Sequence, residues 1–329
     1  MKHALTAADV TGIVAVVPTP ARPDAASWHA TETISAATTT AMICAVAAQA
    51  DMILTMGTFG EGATLTENEA ETFIRIVAAA NEGRVPVFAG ATTLNTRDTI
   101  ARARKLLDAG AFGLFLGRPM WCKTDEASIV GFYADVAEAL PSAPMILYDN
   151  PHAFKGKISP DTYRALAQIP NIIAAKYVAL GAQYVDDVHA CGDSLRILPQ
   201  DSDWLKARRL VGDRASACWT GSAACGMSPL IKLREAILNG HNTTADLVTR
   251  DINDSYAPLF PMGDFALFST YNIPLEKARI AAAGLIDPGP PRPPYHQCPA
   301  EYLAGATDAG RRWAALERNY QPTATNHED

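Results

Sequence analysis

A (β/α)8 barrel carrying an all-helical C-terminal extension is the fold this sequence predicts, and two observations predict it. Short runs rich in Val, Ile, Leu and Phe alternate with helix-like stretches, which is the pattern of βα units around a parallel sheet. Eight such runs fall within roughly the first 240 residues, close to the ~250 residues that such a barrel usually occupies. The G-x-G-x-x-G loop that would favour an open doubly wound sheet does not follow the first run.

Each strand is expected where an apolar run meets turn residues. "GIVAVV" (12–17) opens the barrel, and "MILTM" (52–56), "VPVFAG" (85–90) and "FGLFLG" (112–117) follow. "PMILYD" (144–149), "IIAAKYV" (172–178), "LRILP" (195–199) and "ASACWT" (215–220) complete the set. Between them, "ENEAETFIRIVAAANEG", "TRDTIARARKLLDAG" and "SPDTYRALAQIP" read as helices that stop at Gly or Pro. The alternation ceases after about Gly240, where helix-like stretches and the Pro-rich link "DPGPPRPPY" lead to "EYLAGATDAGRRWAALERNY". The expected organisation is a barrel over 1–240, a helical extension over 241–320 and a tail over 321–329.

Composition narrows the partners. A chain of 329 residues that is 48% hydrophobic can bury a large core. The net charge of -7 comes from scattered acids with no basic stripe, so neither nucleic acid nor an anionic membrane surface is an expected partner. The N-terminus lacks the pattern of a secretory signal, and the apolar stretch "AMICAVAAQADMILTMG" is broken by Gln49 and Asp51. A cytoplasmic location is the expectation. The six cysteines form no CxxC pair and are expected as reduced, mostly buried thiols.

Chemistry in such a barrel sits at the C-terminal ends of the strands. Strand two ends in "GTFGEGATLT", strand four in "GRPMW", strand five in "YDNP" and strand eight in "WTGSA". Strand six instead carries Lys176 inside the apolar run "NIIAAKYVALG". A lone lysine there can be structural, snorkelling to the rim or pairing with a carboxylate. A water-poor interior, however, disfavours its charged form and leaves a nucleophilic amine, for which a ketone or aldehyde is the natural electrophile. Of the seven histidines only His152 lies just after a strand, which disfavours a metal centre. No glycine-rich anion cradle marks a pyridoxal phosphate site. The expectation is an imine chemistry that needs neither metal nor organic cofactor.

"GTFGE" (57–61), "YDNP" (148–151) and the lysine of "AAKYV" resemble, in order and spacing, the dihydrodipicolinate synthase and N-acetylneuraminate lyase superfamily across nearly the whole chain. "TMGTFGEGATLT", "PMW", "YNIPLEKAR" (271–279) and "RPPY" resemble more narrowly the hydratase-aldolases that cleave aryl-substituted ylidene pyruvates. The resemblance implies a homotetramer, a small keto-acid substrate and a set of roles. Lys176 would form the imine, and Tyr148 would shuttle protons with Thr58 beside it. Gly57 would permit close approach while the backbone N–H groups of Thr58 and Phe59 hold the substrate carboxylate. Phe59 stands where the family usually has a second threonine, which removes a hydroxyl from any proton relay.

The same resemblance places Trp121 against the aryl ring, Asn272 near a reacting water or oxygen, and Gly221 and Ser222 in the substrate site. Read without the family, Trp121 caps the core and Asn272 caps a helix beginning near Pro274. Arg118, directly after strand four, is expected at the rim, either in a surface ion pair or reading a carboxylate on the ring. The second option leads to trans-2'-carboxybenzalpyruvate as the expected substrate, with trans-o-hydroxybenzylidenepyruvate next. A sugar-acid lyase, a condensing synthase and a non-enzymatic keto-acid-binding module remain the alternatives.

Overall fold

The computed structural model describes residues 5–321, so the expected tail lies, beyond Gln321, outside the described residues. All eight expected strands form: β1 (Gly12–Val16), β2 (Met52–Leu54), β3 (Val87–Gly90), β4 (Gly113–Leu116), β5 (Met145–Asp149), β6 (Ile172–Tyr177), β7 (Arg196–Leu198) and β8 (Ala217–Thr220). Their order is β7-β6-β5-β4-β3-β2-β1-β8, every pairing parallel. The β7–β8 seam closes more lightly, through a single bridge between Gln200 and Trp219 and a 2.9 Å bond from the Trp219 N–H to the Pro199 carbonyl. Nearly every strand residue is buried, because barrel interior and surrounding helices cover both faces.

Eight helices alternate with the strands: α1 (Ala36–Ala47), α2 (Glu67–Asn81), α3 (Thr96–Asp108), α4 (Glu126–Ala139), α5 (Pro160–Leu166), α6 (Tyr184–Cys191), α7 (Trp204–Val211) and α8 (Ser228–Leu238). Their starts are chemically marked. Thr66 and Glu69 form a reciprocal capping box on α2, while Asn95, Asp125 and Ser159 each accept a backbone N–H from the first turn of α3, α4 and α5. The stops differ by a residue or two from the Gly and Pro positions, since α2 ends at Asn81 and is capped by Glu82 with a left-handed φ of 51° before Gly83 takes 74°.

The extension comprises α9 (Asn242–Tyr256), α10 (Phe265–Thr270), α11 (Asn272–Ala283) and α12 (Ala300–Tyr320). A buried ion cluster ties it to the loop after β2. Glu61, at a left-handed φ of 56°, meets the Lys277 ammonium of α11 at 2.6 Å and the Arg292 guanidinium, and accepts the Arg292 N–H at 2.7 Å. Arg292 also donates to the carbonyls of Thr19 (3.1 Å) and Thr33 (3.0 Å). Removing one member would strand a buried charge at a cost of about 3–5 kcal/mol, so the "GTFGE" loop and the Pro-rich link hold each other in place.

All six cysteines are free, but only Cys191, Cys218 and Cys225 are buried. Cys44 and Cys122 are exposed and Cys298 is intermediate, so burial covers half rather than most of them. Among the described residues no helix is long and apolar enough to cross a membrane.

Candidate active site

Tyr148 and Lys176 are register partners on the parallel strands β5 and β6. Side chains alternate along a strand, so paired residues of neighbouring strands share a face, and here that face is the barrel interior. Lys176 is only 5% exposed, and its Nζ sits 3.6 Å from the centroid of the Trp219 ring and 4.6 Å from that of Tyr148. Burial pushes its ammonium down from 10.5 to about 7, against the pull of the Glu276 and Asp149 charges. The indole is fixed in turn by its own N–H, which donates to the Tyr177 carbonyl at 2.7 Å.

The tyrosine hydroxyl is held in a short chain. Tyr148 Oη and Thr58 Oγ1 lie 2.8 Å apart, and Asn150 Nδ2 donates to the same hydroxyl at 3.1 Å. Burial raises the phenol pKa while the bonds from Thr58 and Asn150 lower it, and burial wins. Thr58 reaches this position because the loop after β2 is tightly wound. A Cβ on Gly60 would come within 2.8 Å of the Met56 backbone nitrogen, and one on Gly57 within 3.2 Å of the Phe115 ring.

Two connected cavities open at the C-terminal ends of the strands. The smaller, about 80 Å3, is lined by Lys176, by the charged or polar side chains Tyr256, Glu276 and Arg279, and by apolar surface from Phe59, Trp219, Leu259, Phe260, Phe265 and Phe268. The larger, about 320 Å3, is lined by apolar surface from Met56, Phe115, Met120, Ala153, Phe154 and Ile273, with His152 and Tyr295 among its polar groups. Thr58, Tyr148, Asn150, Ser269 and Asn272 belong to both. These shared residues stand at the waist where the two cavities meet, and the charged side chains Lys176, Glu276 and Arg279 all lie on the smaller one.

The structure thus brings Lys176, Tyr148, Thr58, Phe59, Gly221 and Asn272 around one cavity and puts Gly57 on the other. Asn272 does not cap α11. It occupies the helix's first position, and its buried Oδ1 has no hydrogen-bond partner, so the amide is presented at the waist. Three expected positions need correction. Arg118 is 1% exposed rather than at the rim, donating to the Gly156 carbonyl and lying 3.6 Å from Asp149. It lines neither cavity, because its chain turns outward behind β5 and under the 150–156 loop. Trp121 is 76% exposed and lines neither cavity; its carbonyl accepts from Lys155. Ser222 is buried behind the small cavity, bonded to Tyr256 and Arg279.

Sequence reasoning missed Asn150, Trp219, Tyr256, Glu276 and Arg279, all on the small cavity. Asn150 and Trp219 lie within "YDNP" and "WTGSA" and were legible as strand ends. Glu276 and Arg279 lie in a helix of the extension, and no local pattern announces that this helix covers the barrel mouth. Among the described residues no cluster of three His, Cys, Asp or Glu side chains forms that could hold a metal ion.

A parallel eight-stranded barrel with a buried lysine beside a tyrosine and a GTFGE loop defines the class: the chain belongs to the dihydrodipicolinate synthetase family, whose sequence profile matches residues 24–307. Among particular relatives, it is 44% identical over 324 residues to the trans-2'-carboxybenzalpyruvate hydratase-aldolase of Nocardioides sp. (strain KP7), covering 97% of this chain and 98% of that one. It is 41% identical over 321 residues to the trans-O-hydroxybenzylidenepyruvate hydratase-aldolase of Pseudomonas aeruginosa, covering 96% of each. The solved structure of PhdJ bound to substrate intermediate matches with a TM-score of 0.95 at 44% identity, covering 96% of this chain and 99% of that chain.

Proposed function

We propose that this protein is a cofactor-independent hydratase-aldolase that converts a trans-arylidene pyruvate into an aromatic aldehyde and pyruvate through an imine on Lys176. The observation that carries the reading is the pair of cavities meeting at Tyr148, Thr58 and Asn272, the lysine lying with Glu276 and Arg279 on one while no Asp, Glu, Lys or Arg lines the other. A pyruvoyl group suits the first, with Thr58 and Phe59 beside its carboxylate, and an aryl ring suits the second. A sugar acid would need several hydroxyl partners where Met120, Phe115 and Phe154 stand.

The neutral amine of Lys176 adds to the ketone, and the carbinolamine hydroxyl leaves as water after taking a proton from Tyr148. The resulting iminium is conjugated with the alkene and makes the benzylic carbon electrophilic. Water adds there, losing one proton to the relay, and the enamine so formed takes a proton at the adjacent carbon. Deprotonation of the new hydroxyl through Tyr148 then breaks the carbon–carbon bond, the electron pair moving into the iminium. Aldehyde leaves, and the pyruvate enamine is protonated at carbon and hydrolysed from the lysine.

The test is direct: release of an aromatic aldehyde from an arylidene pyruvate, with N-acetylneuraminate left uncleaved. Faster cleavage of N-acetylneuraminate would overturn the substrate class. The cytoplasm and a homotetramer belong to the same proposal, and sedimentation of the purified protein checks the second.

Arg118 bears on the ring substituent. Neither Arg nor Lys lines the larger cavity, so a ring carboxylate would meet no guanidinium there, and the reading rests at the arylidene pyruvate class. Arg118 instead steadies the 150–156 loop that carries His152, Ala153 and Phe154 into that cavity. Replacing Arg118 by Leu should lower stability by about 3–5 kcal/mol, because Asp149 is left buried without its cation. The ratio of kcat/KM for carboxylated and hydroxylated substrates should stay unchanged. A selective loss on the carboxylated substrate, in parallel kinetic assays, would restore Arg118 as a ring reader.

A further inference from the structure

Helix α11 carries a charged pair to the small cavity. Glu276 and Arg279, one turn apart, both line it. All three guanidinium nitrogens of Arg279 are engaged. Nε donates to Glu276 Oε2 at 2.8 Å, Nη2 lies 2.7 Å from the same oxygen and donates to the Gly221 carbonyl at 3.0 Å, and Nη1 donates to Ser222 Oγ at 2.8 Å. Ser222 is bonded to Tyr256 at 2.7 Å, and Tyr256 donates to Asp201 at 2.9 Å, which also accepts from Thr220 at 2.6 Å. This buried chain fixes Arg279, and Arg279 fixes the Glu276 carboxylate on the cavity wall.

Imine formation converts a neutral amine into a cation in this water-poor space. An uncompensated charge there is costly, and a carboxylate already held in place offsets it without reorganising. Asp149 cannot serve from inside. It follows Tyr148 in β5 and so faces outward, accepting from Tyr163 at 2.9 Å beside Arg118. We infer that Glu276 is the positioning residue that supplies the counter-charge to the iminium nitrogen of Lys176, and that Arg279 holds it there. The inference rests on the imine reading above.

The titratable and charged groups that line the cavity with Lys176 are Tyr148 from β5, Tyr256 from α9, and Glu276 and Arg279 from α11. Asp149 lies on the outer face of β5 and Asp201 lies behind Tyr256. Borohydride trapping of pyruvate on the full-length protein, measured across pH, reads the amine directly. Removing a negative charge disfavours the ammonium, so Glu276→Gln should move the acid limb of trapping to lower pH, by about half a unit or more. The adduct trapped at limiting pyruvate should fall by about threefold or more. Glu276→Asp should restore both. A merely loosened cavity would admit water and move the limb the other way, toward the ordinary lysine value.

Should Glu276→Gln fail to fold, the double variant Glu276→Gln/Arg279→Gln, which removes one charge of each sign, is compared with Arg279→Gln, and its acid limb should lie at lower pH than that of the single variant. An unchanged or alkaline-shifted limb in the folded variant overturns the role of Glu276. Absence of any pyruvate adduct on Lys176 in the native protein overturns the imine reading itself, which separates the two failures.

Discussion

Borohydride in the presence of pyruvate should fix a pyruvoyl adduct on Lys176 and extinguish turnover, and Lys176→Ala should lower kcat/KM by on the order of 10^3-fold or more. The expectation follows from the lysine's surroundings. An exposed lysine with an ordinary pKa is well under ~0.1% neutral at pH 7. Lys176, held near 7 by burial between Trp219 and Tyr148, is about half neutral there. The sign follows. Below about 7 the ammonium cannot attack, so kcat/KM should rise with pH through that value and then level until a second group titrates. Peptide mass mapping locates the adduct. An unmodified Lys176 with full turnover would sink the imine mechanism, and an adduct without turnover on any arylidene pyruvate would favour a keto-acid-binding module.

Tyr148→Phe should lower kcat by about 10^2–10^4-fold while leaving the KM for pyruvate in the condensation direction nearly unchanged. The phenol ring lies with its centroid 4.6 Å from Lys176 Nζ. Its hydroxyl is 2.8 Å from Thr58 Oγ1 and takes a bond from Asn150, and burial keeps it protonated at neutral pH. Phenylalanine keeps the ring that packs on Phe115 and Phe154, so the fold should survive with a loss of about 1 kcal/mol for the missing hydrogen bond. Steady-state kinetics together with thermal unfolding separate the two effects. A kcat within a few-fold of native would assign the proton transfers elsewhere, to Thr58 or to water.

Much of this was written in local sequence. Eight apolar runs bounded by Gly, Pro and capping residues specify eight buried parallel strands, because a strand covered on both faces must be apolar nearly throughout. Strand ends in a barrel converge, so the sequence alone assigns "GTFGE", "YDNP" and "AAKYV" to one mouth. The exception inside the run, Lys176, was legible for the same reason: only an interior face makes a lysine in such a run informative.

What tertiary structure alone decided is the direction in which side chains beyond the strands point. Arg118 and Trp121 follow β4, where alternation no longer applies. The chain buries Arg118 beneath the 150–156 loop, away from both cavities, and leaves Trp121 in solvent. The roof of the site was equally hidden. Asn272, Glu276 and Arg279 share one face of α11, a spacing that any helix offers, and their chemistry depends on that helix lying across the barrel mouth. That placement is fixed by contacts distant in sequence, above all Glu61 with Lys277 and Arg292. No periodicity within a short segment can encode them, because the free energy of a buried ion cluster belongs to its partners jointly.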